Sequence, residues 1–148
     1  MGRIRRVLHP TDFSRASTAA FNRAVETAKS NRAELLLLNV ITPGYPPFPD
    51  GYISPTVYAE MEASARAYAK KQLDAQLAKA KRAGARVRGL LLDGLPHERI
   101  VQAARRTRAD LLVMGTHGRT GFAKLFLGSV ASRVLATAPC PVLTVRGT

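Results

Sequence analysis

Leu35-Leu36-Leu37-Leu38 is a near-continuous apolar run of strand length. It cannot alternate between a wet face and a dry one, so it suits a parallel strand covered on both sides. Shorter runs of the same kind recur along the chain. Ile4 to Leu8, Ala33 to Ile41, Val87 to Leu92, Leu111 to Met114 and Val142 to Val145 read as five strands. Between them lie segments of helical period: Ser14 as a cap ahead of Ala20, Ala24 and Ala28, with Phe21 and Val25 turned inward. A second runs from Thr56 to about Ala83, where Val57, Met61, Ala65, Ala69, Leu73 and Leu77 step by four and Gly84 stops the helix. A third opens at Pro96, with Ile100, Val101, Ala103 and Ala104 on its apolar side. A fourth runs from about Gly128 to Ala136. Strands alternating with helices give an α/β fold, a single open parallel five-stranded sheet with helices on both faces and right-handed crossovers. At 148 residues, one domain spanning 1–148 is expected.

In such a sheet, ligands sit beyond the carboxyl ends of the strands, where strand order reverses. Two segments fall at that edge: Pro10-Thr11-Asp12 after the first strand and Gly115-Thr116-His117-Gly118 after the fourth. Nine residues beyond Gly118 comes Gly128-Ser129-Val130 at a helix start. Glycine lets the backbone approach an anion, and the free N–H groups of a helix N-terminus point at it with a favourable dipole. The chain has no G-x-x-x-x-G-K-[ST] loop and no G-x-G-x-x-G fingerprint, so the phosphate site implied is of another type. The proline-rich stretch Thr42 to Pro55, with Tyr45, Phe48 and Tyr52, reads as a loop that lids the pocket or packs on a partner chain.

Composition narrows the classes. Apolar residues make up 46% and charged residues 22%, which are globular values. No apolar run approaches a membrane span, no signal peptide or myristoylation signal is present, and Cys140 is the lone cysteine, so a cytoplasmic protein is expected. The net charge of +13 is the oddity. It reads either as a solvated surface or as a polyanion-binding face. The basic residues are scattered along the chain, tryptophan is absent, and no basic cluster is interleaved with aromatics, so nucleic acid is not the expected partner.

The motifs together resemble the universal stress protein family, in its ATP-binding subtype. The resemblance runs over essentially the whole length. It rests on Pro10-Thr11-Asp12-Phe13-Ser14, on Gly94-Leu95-Pro96-His97-Glu98, on Asp110 through Gly121, on Leu127-Gly128-Ser129-Val130 and on Pro139 through Val145. It implies a Rossmann-like fold of the adenine nucleotide alpha hydrolase kind. It also implies a nucleotide-dependent stress-response or signalling role, with ATP as ligand and Mg2+ held through phosphates and water. Pro10, Thr11 and Asp12 would border adenine and ribose, Val40 would meet adenine through its main chain, and Met114 would pack nearby. Gly115 and Gly118 would line ribose and phosphates, with His117 between them as a backbone contact. Gly128, Ser129 and Val130 would hold the phosphates. Dimerisation through Val142–Val145 is implied as well; protein partners are not named by the sequence.

No catalytic residue and no metal-ligating set stands out. A slow ATP hydrolase or nucleotidyl-transfer enzyme on the same pocket is the alternative, with Arg119 and Lys124 as charge-neutralising groups. Binding of nucleic acid or acidic partners through the basic surface is a third reading.

Overall fold

The computed structural model describes residues 2–44, 54–117 and 127–147. Five strands form one sheet: β1 (Arg6–Pro10), β2 (Glu34–Ile41), β3 (Arg86–Asp93), β4 (Leu111–Gly115) and β5 (Val142–Val145). All neighbours pair in parallel, in the order β3-β2-β1-β4-β5. The helices are α1 (Thr18–Asn31), α2 (Pro55–Arg82), α3 (Pro96–Thr107) and α4 (Ser129–Thr137).

The leucine run explains the layering. Leu35 and Leu37 pack with Phe21, Val25 and Leu73 against α1 and α2. Leu36 and Leu38 pack with Ile100, Ala103 and Val134 against α3 and α4. All four are fully buried, and each contributes about 2 kcal/mol of hydrophobic stabilisation. β2 is thus covered on both faces, as a four-leucine strand requires.

The strand order reverses at β1, with β2 on one side and β4 on the other. The β1–β4 register runs only through Val7↔Leu111 and Leu8↔Leu112. The Leu112 amide donates to Pro141 at 3.0 Å, so its main chain turns to β5 and that of Val113 turns to β1. In a continued ladder the next donor to the Val113 carbonyl would be the amide of residue 10, which is proline and has none. The buried His9 fills the gap, its Nδ1–H donating to that carbonyl at 2.8 Å. β1 therefore runs to Pro10 rather than closing at Leu8 as expected, and Pro10 still pairs with Leu38 of β2.

Two expectations about helices need correction. Ser14 does not cap α1: a 3-10 turn over Arg15–Ser17 precedes that helix, and the buried Ser14 hydroxyl has no hydrogen-bond partner among the described residues. The cap of α2 is Ser54, whose side chain accepts from the Val57 amide, with Pro55 in the first turn. The apolar stripe of α2 is buried only in its second half. Ala69 and Leu73 are buried, while Val57 and Met61 are 43% and 46% exposed. A helix of 28 residues is about 42 Å long, whereas an eight-residue strand spans about 26 Å, so α2 overshoots the sheet. At its other end Gly84 takes φ +96°, the left-handed stop that glycine favours.

Candidate functional site

A pocket of about 300 Å³ opens at the carboxyl ends of β1 and β4. The strand-order reversal splays the two connections that leave these strands, and this makes the cleft. One wall is the end of β1 with Thr11 and Asp12; the opposite wall is Gly115, Thr116 and His117 with the start of α4. Leu38 to Val40 and Ile100 of α3 close it from the β2 side.

The Thr11–Ser17 loop is held by a chain of hydrogen bonds. Ser17 Oγ donates to the Ser14 carbonyl at 2.8 Å. Its single proton is then committed, so the 3.2 Å contact with Thr11 is a bond donated by Thr11 Oγ1. Thr11 Oγ1 in turn accepts the Phe13 amide at 3.0 Å. Asp12 Oδ1 accepts the Ser14 amide at 2.9 Å, an Asx turn. Phe13 sits between them at φ +64°, a costly value for an aromatic residue, held there because its ring packs on the α1–α2 core. From below, Asn39 Nδ2 donates to the Thr11 carbonyl at 2.8 Å. Thr11, Ser17 and Asn39 are all buried, and each is hydrogen-bonded.

On the other wall, α4 begins immediately after Gly128, which is extended at φ −62°, ψ 159°. The Gly128 amide donates to the Thr116 carbonyl at 2.7 Å, tying the helix start to the end of β4. The amides of the first turn, from Ser129 to Ala131, have no partner within the helix, and all three residues line the pocket. They form a cradle of N–H groups at the positive end of a helix dipole. Gly115 is closely walled: a Cβ there would lie 3.4 Å from the His117 carbonyl and 3.8 Å from Ser17 Cα. The imidazole of His117 bonds Thr116 Oγ1 through Nδ1 at 2.9 Å, and its buried Nε2 has no partner among the described residues.

The structure brings Pro10, Thr11, Asp12, Val40, Met114, Gly115, His117, Gly128, Ser129 and Val130 to the lining of this one pocket. Gly118, Arg119 and Lys124, like Tyr45, Phe48 and Tyr52, lie outside the described residues. Sequence reasoning missed Ser17, Asn39, Pro96, Ile100, Thr116 and Ala131 on the lining. Asn39 carried a signal, since an amide inside an apolar strand needs a buried partner. His97, beside Pro96 in the first turn of α3, is half-buried.

Among the described residues, Asp12 is the only carboxylate on the lining. Among the described residues, no group of three or more His, Cys, Asp or Glu side chains is placed to hold a metal ion. Burial, with a smaller effect from Asp110, pushes the half-buried Cys140 thiol up, away from the reactive thiolate. Among the described residues no helix is long and apolar enough to cross a membrane.

The model of the universal stress protein family matches residues 3–146. The chain belongs to this family. Among its relatives is universal stress protein MJ0531 of Methanocaldococcus jannaschii, 34% identical over 149 residues, covering 96% of this chain and 82% of that protein. Universal stress protein UspA from Lactobacillus plantarum superposes with a TM-score of 0.82 at 27% identity, covering 99% of this chain and 100% of the other. A universal stress protein in complex with cAMP superposes with a TM-score of 0.70 at 28% identity, over 99% of this chain and 100% of that one. The five-stranded parallel sheet with helices on both faces is the family architecture.

Proposed function

We propose that this member of the family binds an adenine nucleotide, ATP in particular, and acts as a nucleotide-dependent stress-response or signalling module. The observation that carries this reading is the facing of two walls across one pocket. An amide cradle at the start of α4 lies opposite the buried, hydrogen-bonded Thr11–Asp12 loop. The cradle suits phosphates. The apolar floor of Pro10, Leu38, Val40, Met114 and Ile100 suits a base. Asp12 suits a ribose hydroxyl as acceptor. With one carboxylate among the described residues of the lining, Mg2+ fits best as a bridge between phosphates and water. The cAMP complex of a relative supports the adenine-nucleotide class.

Isothermal titration of ligand-stripped protein with Mg-ATP, AMP and cAMP tests the assignment. Saturable binding with ATP tightest is the expected result. Absence of binding for all three at millimolar concentration would remove it. Mass spectrometry of gently purified protein reports independently which nucleotide is carried from the cell.

The open edge of the sheet supports a two-fold dimer through β5. Its strand is the last in the order β3-β2-β1-β4-β5 and carries the exposed Leu143. An uncovered apolar edge invites pairing.

A further inference from the structure

Basic residues that are scattered in the sequence meet at one end of the fold. In an all-parallel sheet with crossover helices, the starts of the strands and the ends of the helices share an edge, opposite the pocket. Arg3, Arg5 and Arg6 lie at the start of β1, and Arg86 opens β3. Lys29 and Arg32 end α1, and Lys81 and Arg82 end α2. Arg105, Arg106 and Arg108 end α3. All are exposed, and together they are nearly half of the 23 Lys and Arg residues in the chain.

Contacts tie these segments into one surface. Arg6 Nη1 donates to the Thr107 carbonyl at 3.1 Å, and Arg86 Nη2 to the Arg32 carbonyl at 3.3 Å. A Cβ on Gly84 would lie 3.5 Å from Lys29 Cε, so the ends of α1 and α2 adjoin. Two acids adjoin this edge without pairing with a clustered side chain: Glu34 pairs with Arg88, and Asp110 Oδ2 accepts the main-chain amides of Arg5 and Arg6. None of the four ion pairs among the described residues includes any of the clustered cations. The helix dipole accounts for cations at the helix ends. It does not account for Arg3, Arg5 and Arg86, which sit at the starts of strands.

We infer that this edge is a docking surface for the phosphate backbone of duplex nucleic acid, bound without base readout. The cations are mostly arginine, whose planar fork matches phosphate oxygens. From β3 to β4 they span about 14 Å of sheet edge, long enough to meet several phosphates of a duplex, which carries a charge every ~1.7 Å. The segments bearing them hold no aromatic side chain, so there is no stacking platform for single strands. The large exposed apolar side chains among the described residues, such as Val57, Met61 and Leu143, all lie off these segments, so nothing is offered for insertion into a lipid surface. The surface lies away from the nucleotide pocket and stands independently of what the pocket binds.

Fluorescence anisotropy with a random-sequence 30-base-pair duplex, over a range of salt concentrations, tests this. Arg105→Gln/Arg106→Gln is compared with Arg23→Gln/Lys71→Gln, which removes equal charge from other exposed positions. The expected result is binding that persists at 150 mM salt, weakened at least tenfold by the edge pair and less than threefold by the control pair. The edge pair also lowers the magnitude of the log–log salt slope by about two. Loss of binding by 150 mM salt in the parent chain, or equal weakening by both pairs, overturns the proposal. So does tighter binding to phosphatidylserine vesicles or to a poly-glutamate peptide than to the duplex.

Discussion

His9 Nδ1 lies 2.8 Å from the carbonyl oxygen of Val113 and serves it in place of the amide that Pro10 lacks. This bond closes the seam of the sheet where β1 and β4 part to make the pocket. Burial is the main cause that drives the His9 pKa down to about 4, against the opposing effects of the Val113 bond and Asp12. The imidazole is therefore neutral in the folded protein, with its proton on Nδ1.

A pH dependence follows from that depression. Below pH 6.5 the unfolded chain takes up a proton at His9 that the folded chain refuses until about pH 4. Stability is therefore full above pH 6.5 and falls as pH drops toward 4, by roughly 3 kcal/mol in all from this group. Urea midpoints measured at pH 7.5 and 5 give the slope. In His9→Gln protein the slope between these values should flatten, because Gln carries no titrating group.

Ser129 separates hydroxyl from amide at the proposed phosphate cradle. It is the first residue of α4, and Gly128 before it is already extended, so proline fits at 129 without breaking the helix. Ser129→Ala removes the hydroxyl alone, and Ser129→Pro removes an amide donor as well. Titration with Mg-ATP should show the proline variant about tenfold weaker than the alanine variant, at unchanged melting temperature. A charge-assisted N–H bond lost is worth about 1.5–3 kcal/mol, which sets that scale.

Asn39 acts on the ligand through Thr11. Asn39→Leu leaves the buried Thr11 carbonyl without its 2.8 Å donor and frees the Thr11–Asp12 loop. The expected cost is about 1–3 kcal/mol in stability. A loss of about tenfold in nucleotide affinity is expected beside it, larger for adenosine-containing ligands than for inorganic phosphate. Equal losses for both ligands would mean that Asn39 supports the fold generally and not the base side of the pocket.

The dimer edge has its own discriminating substitution. Pro141 and Val145 carbonyls accept from β4, so by alternation the Val142 and Thr144 main-chain groups face the open edge. Thr144→Pro removes one outward amide and leaves the β4 ladder intact. Sedimentation should show a dimer for the parent chain and a monomer for the variant, with the β5 strand retained.

Much of this was readable from residues whose local chemistry fixes their place. The leucine run suits a doubly covered strand, and the structure makes it one; Gly115 and Ser129 fall at a strand end and a helix start, as the motif implies. Val142–Val145 is the same strand in sequence and in structure. Register and length were not readable. Asn39 and Ile100 reach the pocket because of how β2 and α3 are positioned against β1, which no local pattern encodes. The stripe of α2 has helical period throughout, yet periodicity says nothing about where the sheet beneath it stops. Ser14 looked like a cap because its residue type fits one; a 3-10 turn intervened. The charge was scattered in sequence because three crossovers return the chain to the same edge at intervals of tens of residues.

The 2.7 Å bond from the Gly128 amide to the Thr116 carbonyl joins the flanks of the segment between them. The head of α4 is thereby fastened to the end of β4 by a direct contact. The free amides of Ser129 to Ala131 are in effect an extension of the sheet, so a ligand held by them is held by the core.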